Sequence, residues 1–101
     1  MEILLTKRFS TDLDNLYENL KVQWDSEIAL DVVRKVMYSI SNLAEFPFLG
    51  SSLSKEITVA TDLRKIYIEK NYIFYRIEGN KIIVLRMLHE RRHYFNHLFE
   101  Q

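Results

Sequence analysis

The sequence has no cysteine, one proline, two glycines and no excess of either charge. Without cysteine the chain forms no disulfide and no thiolate metal site, so nothing favours an oxidising compartment. Its 14 basic residues equal its 14 acidic residues, which argues against a protein that coats nucleic acid through a general positive charge. No apolar run approaches the length of a membrane span, and the opening MEILLTKRF does not have the pattern of a signal peptide. We therefore expect a cytoplasmic protein with no membrane contact.

The composition is typical of a soluble globular protein, with 48% hydrophobic and 28% charged residues. A chain of 101 residues is long enough for a single core. No internal repeat, linker or low-complexity segment divides it. Residues 1–101 are therefore predicted to form one domain.

The first half of the chain predicts a strand followed by a helical hairpin. Residues 2–6 centre on the apolar run Ile3, Leu4 and Leu5 and lack helical spacing, which indicates a strand. Ser10 or Thr11 suits the N-cap of the first helix, with Asp12 and Asp14 in its first turn, where the helix dipole favours anions. The apolar residues of this helix recur at i, i+3, i+4 and i+7 and are Leu13, Leu16, Tyr17 and Leu20.

The second helix is predicted to begin at Asp25 or Ser26, and Pro47 and Gly50 end it. Its apolar stripe consists of Ile28, Val32, Val36, Ile40 and Leu43. Two consecutive amphipathic helices of this kind predict an antiparallel hairpin.

The second half predicts an antiparallel meander. Residues 51–62 are expected to form a loop, with a possible short strand at residues 57–59. The segments LRKIYIEK, YIFYRIE and KIIVLRML are rich in β-branched and aromatic residues, the first two are joined near Lys70 and Asn71, and Gly79 and Asn80 provide the second turn.

The predicted fold class is α+β in the order β-α-α-β-β-β-α, with a short C-terminal helix. The helical crossover lets the first strand join the meander at an edge, and the hairpin packs on one face of the sheet. The other face is expected to be uncovered except by the terminal residues, and we expect the functional site on that open face.

The C-terminal segment RMLHERRHYFNHLFEQ gathers histidines, arginines and aromatic rings within a few positions. Together with the Y-x-x-x-Y-R-I strand, the G-N turn and the LRMLHERRHY strand end, it resembles the RelE/ParE superfamily of bacterial toxins. The resemblance covers essentially the whole chain. It implies the growth-inhibitory toxin of a type II toxin–antitoxin pair, of the plasmid stabilisation or addiction type, neutralised by a cognate antitoxin.

The superfamily divides by target, so two functions remain open. RelE-like members are mRNA interferases that cleave mRNA on the ribosome, whereas ParE-like members act on DNA gyrase without hydrolytic chemistry of their own. A ribosome-dependent nuclease would need a base, an acid and cations to stabilise the phosphorane. The residues that could supply these groups here are Arg64, Arg86, His89, Arg91, Arg92 and Tyr94.

Two departures from RelE-like sequences slightly favour the ParE-like function. Tyr72 stands where RelE-like enzymes carry an arginine, and the chain lacks the basic balance expected of a protein that docks on ribosomal RNA. A convergent cluster of the candidate arginines would favour RNA cleavage. A scattered, ion-paired set would favour gyrase.

The remaining candidates concern binding. Candidate contacts to the antitoxin or target are Tyr17, Trp24, His93, Phe95 and Phe99. His93 and His97 have i, i+4 spacing, but without a third ligand nearby we expect no metal site, and no cofactor is implied. We expect no sequence-specific DNA binding by this chain.

Each candidate also has a purely structural interpretation. Arg64 and Arg86 would then be solvated or ion-paired strand residues, His89 would satisfy backbone groups, and the terminal rings would hold the last helix on the sheet. An inactive αβ interaction domain is the third class left open.

Overall fold

The computed structural model describes residues 1–56, 60–92 and 97–98. These residues form the predicted α+β fold with one strand more than predicted, because Ser51 and Ser52, expected in a loop, pair with Lys65 and Arg64. The strands are β1 (Glu2–Leu5), β2 (Ser51–Ser52), β3 (Arg64–Ile68), β4 (Asn71–Glu78) and β5 (Lys81–His89), and the helices are α1 (Lys7–Gln23) and α2 (Ser26–Ser41). The predicted strand at 57–59 lies outside the described residues, as does most of the predicted terminal helix, of which His97 and Leu98 are seen as helical.

Thr6 joins the first strand to the first helix. Its hydroxyl donates to the carbonyl oxygen of Leu85 at 2.9 Å. The Thr6 hydroxyl oxygen also accepts the N–H of Phe9 at 3.0 Å, which makes Thr6 the N-cap of α1. The predicted N-cap at Ser10 or Thr11 is therefore wrong, because a contact between distant parts of the chain selects Thr6. Asp12 consequently lies beyond the first turn and is free for a different role.

The second helix begins as predicted and ends early. The carboxylate of Asp25 accepts the N–H of Ile28 at 2.8 Å as the N-cap. The helix stops at Ser41, and a 3₁₀ turn at Asn42–Ala44 carries the chain onward before Pro47 is reached.

The five strands form one sheet in the order β1-β5-β4-β3-β2. Strand β1 is parallel to β5 at one edge, and all other neighbours are antiparallel, which confirms the predicted meander and the edge position of the first strand. The two helices cover one face, where they bury a core of Phe9, Val36, Ile40, Leu43, Ile73, Tyr75, Ile82, Val84 and Met87. Each large apolar side chain buried there contributes about 1.5–3 kcal/mol to folding.

The opposite face of the sheet is not open in the way that the sequence suggested. Leu53, in a 3₁₀ turn at Leu53–Lys55, packs with Phe74 and Leu88 in a second, smaller buried cluster. Leu63, Tyr72 and Leu98 pack around it. The expectation of a face covered only by terminal residues is wrong, because the loop after β2 folds back over the sheet.

A β-bulge in β5 changes which residues face the helices. Phe74 pairs with Arg86 and Tyr75 pairs with Val84, so Leu85 is an extra residue without a partner in β4. The bulge shifts the alternation by one position. As a result Val84 and Met87 both belong to the core beneath the helices.

Candidate interaction site

A groove of about 660 Å³ lies between the helical hairpin and one end of the sheet. One wall is α1 with the N-terminal half of α2, and the other is the β3–β4 turn with the last residues of β5. We call this feature the hairpin groove.

Six apolar side chains, which we call the floor, line the hairpin groove together with the polar side chains of Asn15, Asn19, Gln23 and Asn71. Leu16, Leu20 and Trp24 follow one another at i+4 on α1, and α2 adds Ile28 and Val32. From the sheet side the floor is completed by Met87. An extended apolar floor of this kind suits a partner side chain or helix rather than a small polar substrate.

The rim on the sheet side is basic. It is formed by Lys70, His89, Arg91 and Arg92. The acidic lining residues Asp12 and Glu69 already face cations: Asp12 pairs with Arg86, and Glu69 lies 3.6 Å from the ammonium of Lys35. The groove therefore presents positive charge beside an apolar floor.

The turn after β5 is held by backbone hydrogen bonds that position this rim. The N–H of Glu90 donates to the carbonyl of Lys70 at 2.9 Å, and the N–H of Arg92 donates to the carbonyl of His89 at 3.0 Å. The imidazole Nδ1 of His89 accepts the N–H of Arg91 at 3.2 Å. His89 thus satisfies a backbone group, as its structural interpretation proposes.

Glu90 also fixes the turn to β3. The hydroxyl of Tyr67 donates to its carboxylate at 2.5 Å. This hydrogen bond is the main cause that raises the pKa of the Tyr67 phenol above its ordinary value, because ionising the phenol would break the bond beside a negative charge.

Arg86 is bound to the first helix. Its Nε and one terminal nitrogen donate to the two carboxylate oxygens of Asp12 at 2.8 and 3.1 Å, and both side chains are only 12% exposed. The same carboxylate accepts the N–H of Met87 at 2.9 Å. In the sheet, Arg86 is the partner of Phe74, whose side chain lies on the face away from the helices, and Arg86 borders a hollow on that face. Its charge is nevertheless neutralised by Asp12.

Arg64 is occupied by the loop before β2. One terminal nitrogen donates to the carbonyl oxygens of Gly50 at 2.5 Å and Phe48 at 3.4 Å, and the guanidinium lies 5.1 Å from the centre of the Phe48 ring. These contacts hold the loop against β3. This terminal nitrogen of Arg64 is therefore engaged by backbone carbonyl oxygens of the loop.

The structure brings only some of the candidate catalytic residues together. His89, Arg91 and Arg92 line the hairpin groove, whereas Arg86 borders the hollow on the other face and Arg64 lines neither. Within residues 1–56, 60–92 and 97–98, Arg64 and Arg86 therefore do not join Arg91 and Arg92 in the convergent arginine cluster that would favour RNA cleavage. Tyr94 lies outside the described residues.

Of the five candidate binding residues, the structure describes two, Trp24 and Tyr17. Trp24 caps the end of α1, lines the hairpin groove and is 68% exposed. Tyr17 is half-buried, with the ammonium of Lys21 5.4 Å from its ring centre. The other three candidates, His93, Phe95 and Phe99, fall in the part of the chain that the structure does not describe.

Among the described residues, no three histidine, aspartate or glutamate side chains are grouped so as to hold a metal ion. Within the same residues, neither helix has the length and apolar character needed to cross a membrane.

The fold of this chain has counterparts among known proteins. The family model described as the ParE toxin of the type II toxin–antitoxin system parDE matches residues 3–94. This chain belongs to the ParE toxin family. The hairpin groove and the Asp12–Arg86 pair are thus features of a ParE-type toxin.

One curated protein is similar to this chain in sequence, and two solved structures are similar to it in fold. Toxin ParE1 of Caulobacter vibrioides is 27% identical over 94 residues, which cover 93% of this chain and 94% of that protein. A chain of the chromosomal ParDE toxin–antitoxin system of Pseudomonas aeruginosa has the same fold, with a TM-score of 0.75 and 23% identity over 88% of this chain and 95% of the other. A conserved hypothetical protein of Helicobacter pylori is more distant, with a TM-score of 0.52 and 17% identity over 88% of this chain and 93% of the other.

Sequence reasoning missed two residues of this ParE chain that shape the groove. Asp12 precedes Leu16 and Leu20 at i+4 intervals, so an acidic residue lay within the apolar stripe. That spacing was the available signal for a buried ion pair. Met87 gave no such signal, because the bulge that turns it toward the helices cannot be inferred from alternation alone.

Proposed function

We propose that this ParE-type toxin inhibits growth by acting on DNA gyrase and that a cognate antitoxin neutralises it. The observation that carries the choice of target is the engagement of the candidate arginines. Arg86 is bound by Asp12, and Arg64 donates to loop carbonyls. Inhibition through protein contacts is the function that this arrangement favours.

The chemistry of RNA cleavage supports the same choice by contrast. Such a site must place a base, an acid and cations around one phosphate. Arg91 and Arg92 lie in the hairpin groove, apart from the hollow that Arg86 borders. The neutral overall charge also gives little attraction to ribosomal RNA.

The hairpin groove is the surface that we assign to protein contacts. Trp24 is a large, exposed apolar side chain at its end, of the type that often contributes most to an interface. The apolar floor and basic rim suit an amphipathic segment with acidic side chains, as an antitoxin would present. Neutralisation would then follow from exclusion, because antitoxin and target would compete for one surface.

The proposed setting follows from these partners. Gyrase and a co-expressed antitoxin both lie in the bacterial cytoplasm, and a toxin with a short-lived antitoxin would stabilise the replicon that encodes the pair.

The decisive experiment compares DNA and protein synthesis after induction of this chain alone in bacteria. Gyrase inhibition predicts that DNA synthesis fails first, cells filament and gyrase–DNA complexes accumulate. Purified chain should also inhibit supercoiling by purified gyrase. Arrest of translation with mRNA cut on ribosomes, and no effect on supercoiling, would overturn the gyrase proposal in favour of the RelE-like function.

A further inference from the structure

A hollow of about 440 Å³ lies on the face of the sheet that is turned away from the helical hairpin. Guanidinium groups border it from three elements: Arg8 from the first turn of α1, Arg76 from β4 and Arg86 from β5. Among the described residues, its one carboxylate is that of the exposed Asp62. We call this feature the arginine hollow. It shares no lining residue with the hairpin groove and is therefore a separate surface.

Two of these arginines have donors available for a ligand. The side chain of Arg8 has no hydrogen-bond or ion-pair partner in the part of the chain that the structure describes. Arg76 pairs with Glu78 at 3.1 Å through one terminal nitrogen, and its buried Nε has no acceptor there. Arg86 differs, because Asp12 already engages its Nε and one terminal nitrogen. Since buried donors in proteins nearly always have a partner, the unsatisfied guanidinium beside a hollow points to an anion that binds there.

Two neutral groups add further donors. The hydroxyl oxygen of Thr61 accepts the N–H of Leu63 at 3.2 Å, so its own proton remains to be donated. One terminal nitrogen of Arg92 lies 3.4 Å from Nδ1 of His97. Because a guanidinium only donates, Nδ1 accepts, and the neutral imidazole carries its proton on Nε2. Thr61 and His97 both line the arginine hollow, which thus combines donors from four separate segments.

The excess of donors over acceptors indicates the class of ligand. A phosphate group offers more acceptor oxygens than a carboxylate and binds two guanidinium groups at once. Among the described residues, no phenylalanine, tyrosine or tryptophan lines the arginine hollow, so it lacks the platform on which a nucleobase stacks. A phosphate of a nucleic-acid backbone, which is bound without any base contact, fits these donors better than a nucleotide does.

We propose that the arginine hollow binds a backbone phosphate of double-stranded DNA through Arg8, Arg76 and the hydroxyl of Thr61, with Nε2 of His97 as a further donor. The choice of DNA as the source of the phosphate rests on the proposed action on gyrase, which holds a DNA segment while the toxin is bound. The neutral charge of the chain gives free DNA little attraction. The contact therefore contributes most when gyrase brings toxin and DNA together and raises their effective concentration.

NMR titration of the ¹⁵N-labelled chain with a short DNA duplex at low ionic strength tests the site in the absence of gyrase. The backbone amides of Arg8 and Thr61 and the side-chain Nε–H of Arg76 should shift and saturate together. The amide of Leu20 in the hairpin groove is the internal control and should not move. Binding should weaken as salt is added, because a phosphate contact releases counterions from the duplex.

A matched pair of double variants supplies the second measurement. Arg8→Gln with Arg76→Gln should weaken duplex binding by about tenfold or more, because it removes both charge-assisted donors. Lys7→Gln with Arg34→Gln is the control, since it removes the same charge from exposed positions that line neither the arginine hollow nor the hairpin groove. Its binding should change by less than about twofold. Arg8→Gln alone, at an exposed position, serves as the test if Arg76→Gln disturbs its strand.

The salt dependence gives a readout that a purely structural role would not change. The slope of the logarithm of the binding constant against the logarithm of salt concentration should fall by about 1 in the Arg8 and Arg76 variant, as expected for one lost phosphate contact. The control variant should keep the slope of the parent. With purified gyrase, the same test variant should need about tenfold more protein than the control to accumulate gyrase–DNA complexes.

Each outcome separates this site from the proposed function. No shift with the duplex at low ionic strength, or equal binding by both double variants, would overturn the phosphate site and leave inhibition of gyrase intact. Shifts with inorganic phosphate or ATP but none with the duplex would overturn DNA as the source of the phosphate. Duplex binding at the arginine hollow by a chain that does not inhibit supercoiling would overturn the proposed function and leave the phosphate site standing.

Discussion

Arg86 of the last strand and Asp12 of the first helix form a two-pronged ion pair, although 74 residues separate them in the chain. The pair lies where β5 extends beyond its parallel neighbour β1, whose last pairing partner in β5 is Val84. Beyond that point the carboxylate of Asp12 accepts the N–H of Met87. One carboxylate therefore fastens the helix to the strand edge. This fastening also positions the groove wall that α1 provides.

Asp12→Ala should destabilise the protein by about 3 kcal/mol, because it leaves the guanidinium of Arg86 and the N–H of Met87 without their acceptor in a largely buried site. Chemical denaturation measures the free energy of unfolding. Asp14→Ala, an exposed residue on the same helix, is the control and should change it by less than about 0.5 kcal/mol. The double variant Asp12→Ala with Arg86→Met should be destabilised by less than the sum of the losses measured for the two single variants. Strict additivity would show that the pair is not coupled.

Tyr75→Phe should destabilise by about 1–3 kcal/mol. The buried phenol donates to the carbonyl of Pro47 at 2.8 Å and accepts the N–H of Gly50 at 2.9 Å. Removing the hydroxyl therefore leaves these two loop groups without their hydrogen-bond partner. Thermal unfolding would measure the loss. Tyr38→Phe, at a site 69% exposed, should leave the melting temperature unchanged and controls for the loss of a phenol as such.

Lys70→Gly should stabilise the protein by about 0.5–1 kcal/mol. Lys70 has φ of 65° in the β3–β4 turn, a left-handed conformation that glycine adopts without a Cβ penalty. Lys81→Gly is the matched control, because Lys81 lies in β5 and glycine weakens a strand. Equal losses for both variants in a denaturation experiment would contradict the argument.

Trp24→Ala should weaken inhibition of gyrase by about tenfold or more while the protein remains folded, because Trp24 is mostly exposed at the end of the hairpin groove. The supercoiling assay with purified components measures the effect. Tyr38→Ala removes a comparably exposed ring on α2 outside the groove and should retain inhibition. If the two variants inhibit equally well, the groove end is not the target contact.

Glu90→Gln should lower the pKa of Tyr67 toward its ordinary value of about 10, because it removes the charged acceptor of the phenol proton. The raised pKa means that the folded state holds this proton more tightly than the unfolded state. The resulting stability is present below pH 10 and is lost as pH rises through the raised pKa. NMR titration of the Tyr67 ring carbon measures the shift, and an unchanged midpoint in the variant would contradict the assignment of its cause.

Local patterns were sufficient for much of this fold. The alternation and turn chemistry of residues 63–89 predicted the meander. The start of the second helix was predicted at Asp25 or Ser26, and Asp25 is its cap, because capping depends on neighbours in sequence. The start of α1 was missed because Thr6 becomes its cap only when Leu85 fixes the hydroxyl. Contacts between distant residues decide such boundaries, and one sequence does not display them.

In the candidate site, too, residue types could be predicted from the sequence, whereas their positions depend on contacts between distant residues. The sequence identified the residue types at the end of β5 but placed them on the open face of the sheet. The bulge at Leu85 and the reach of Arg86 to Asp12 redistribute these charges, and both depend on packing between β5 and α1. Trp24 was named as a candidate contact from the family resemblance, and the structure shows it mostly exposed at the end of the hairpin groove, so its role in binding stays a prediction.

The position of β5 has a consequence for synthesis of the protein. Among the strands that the structure describes, the one between β1 and β4 is also the last to be translated, and it contributes Ile82, Val84 and Met87 to the core. Until residues 81–89 have left the ribosome, β1 has no partner and α1 cannot be fastened at Asp12. A nascent chain is therefore unable to assemble the groove early. We expect folding, and with it activity, to be confined to chains whose last strand has emerged.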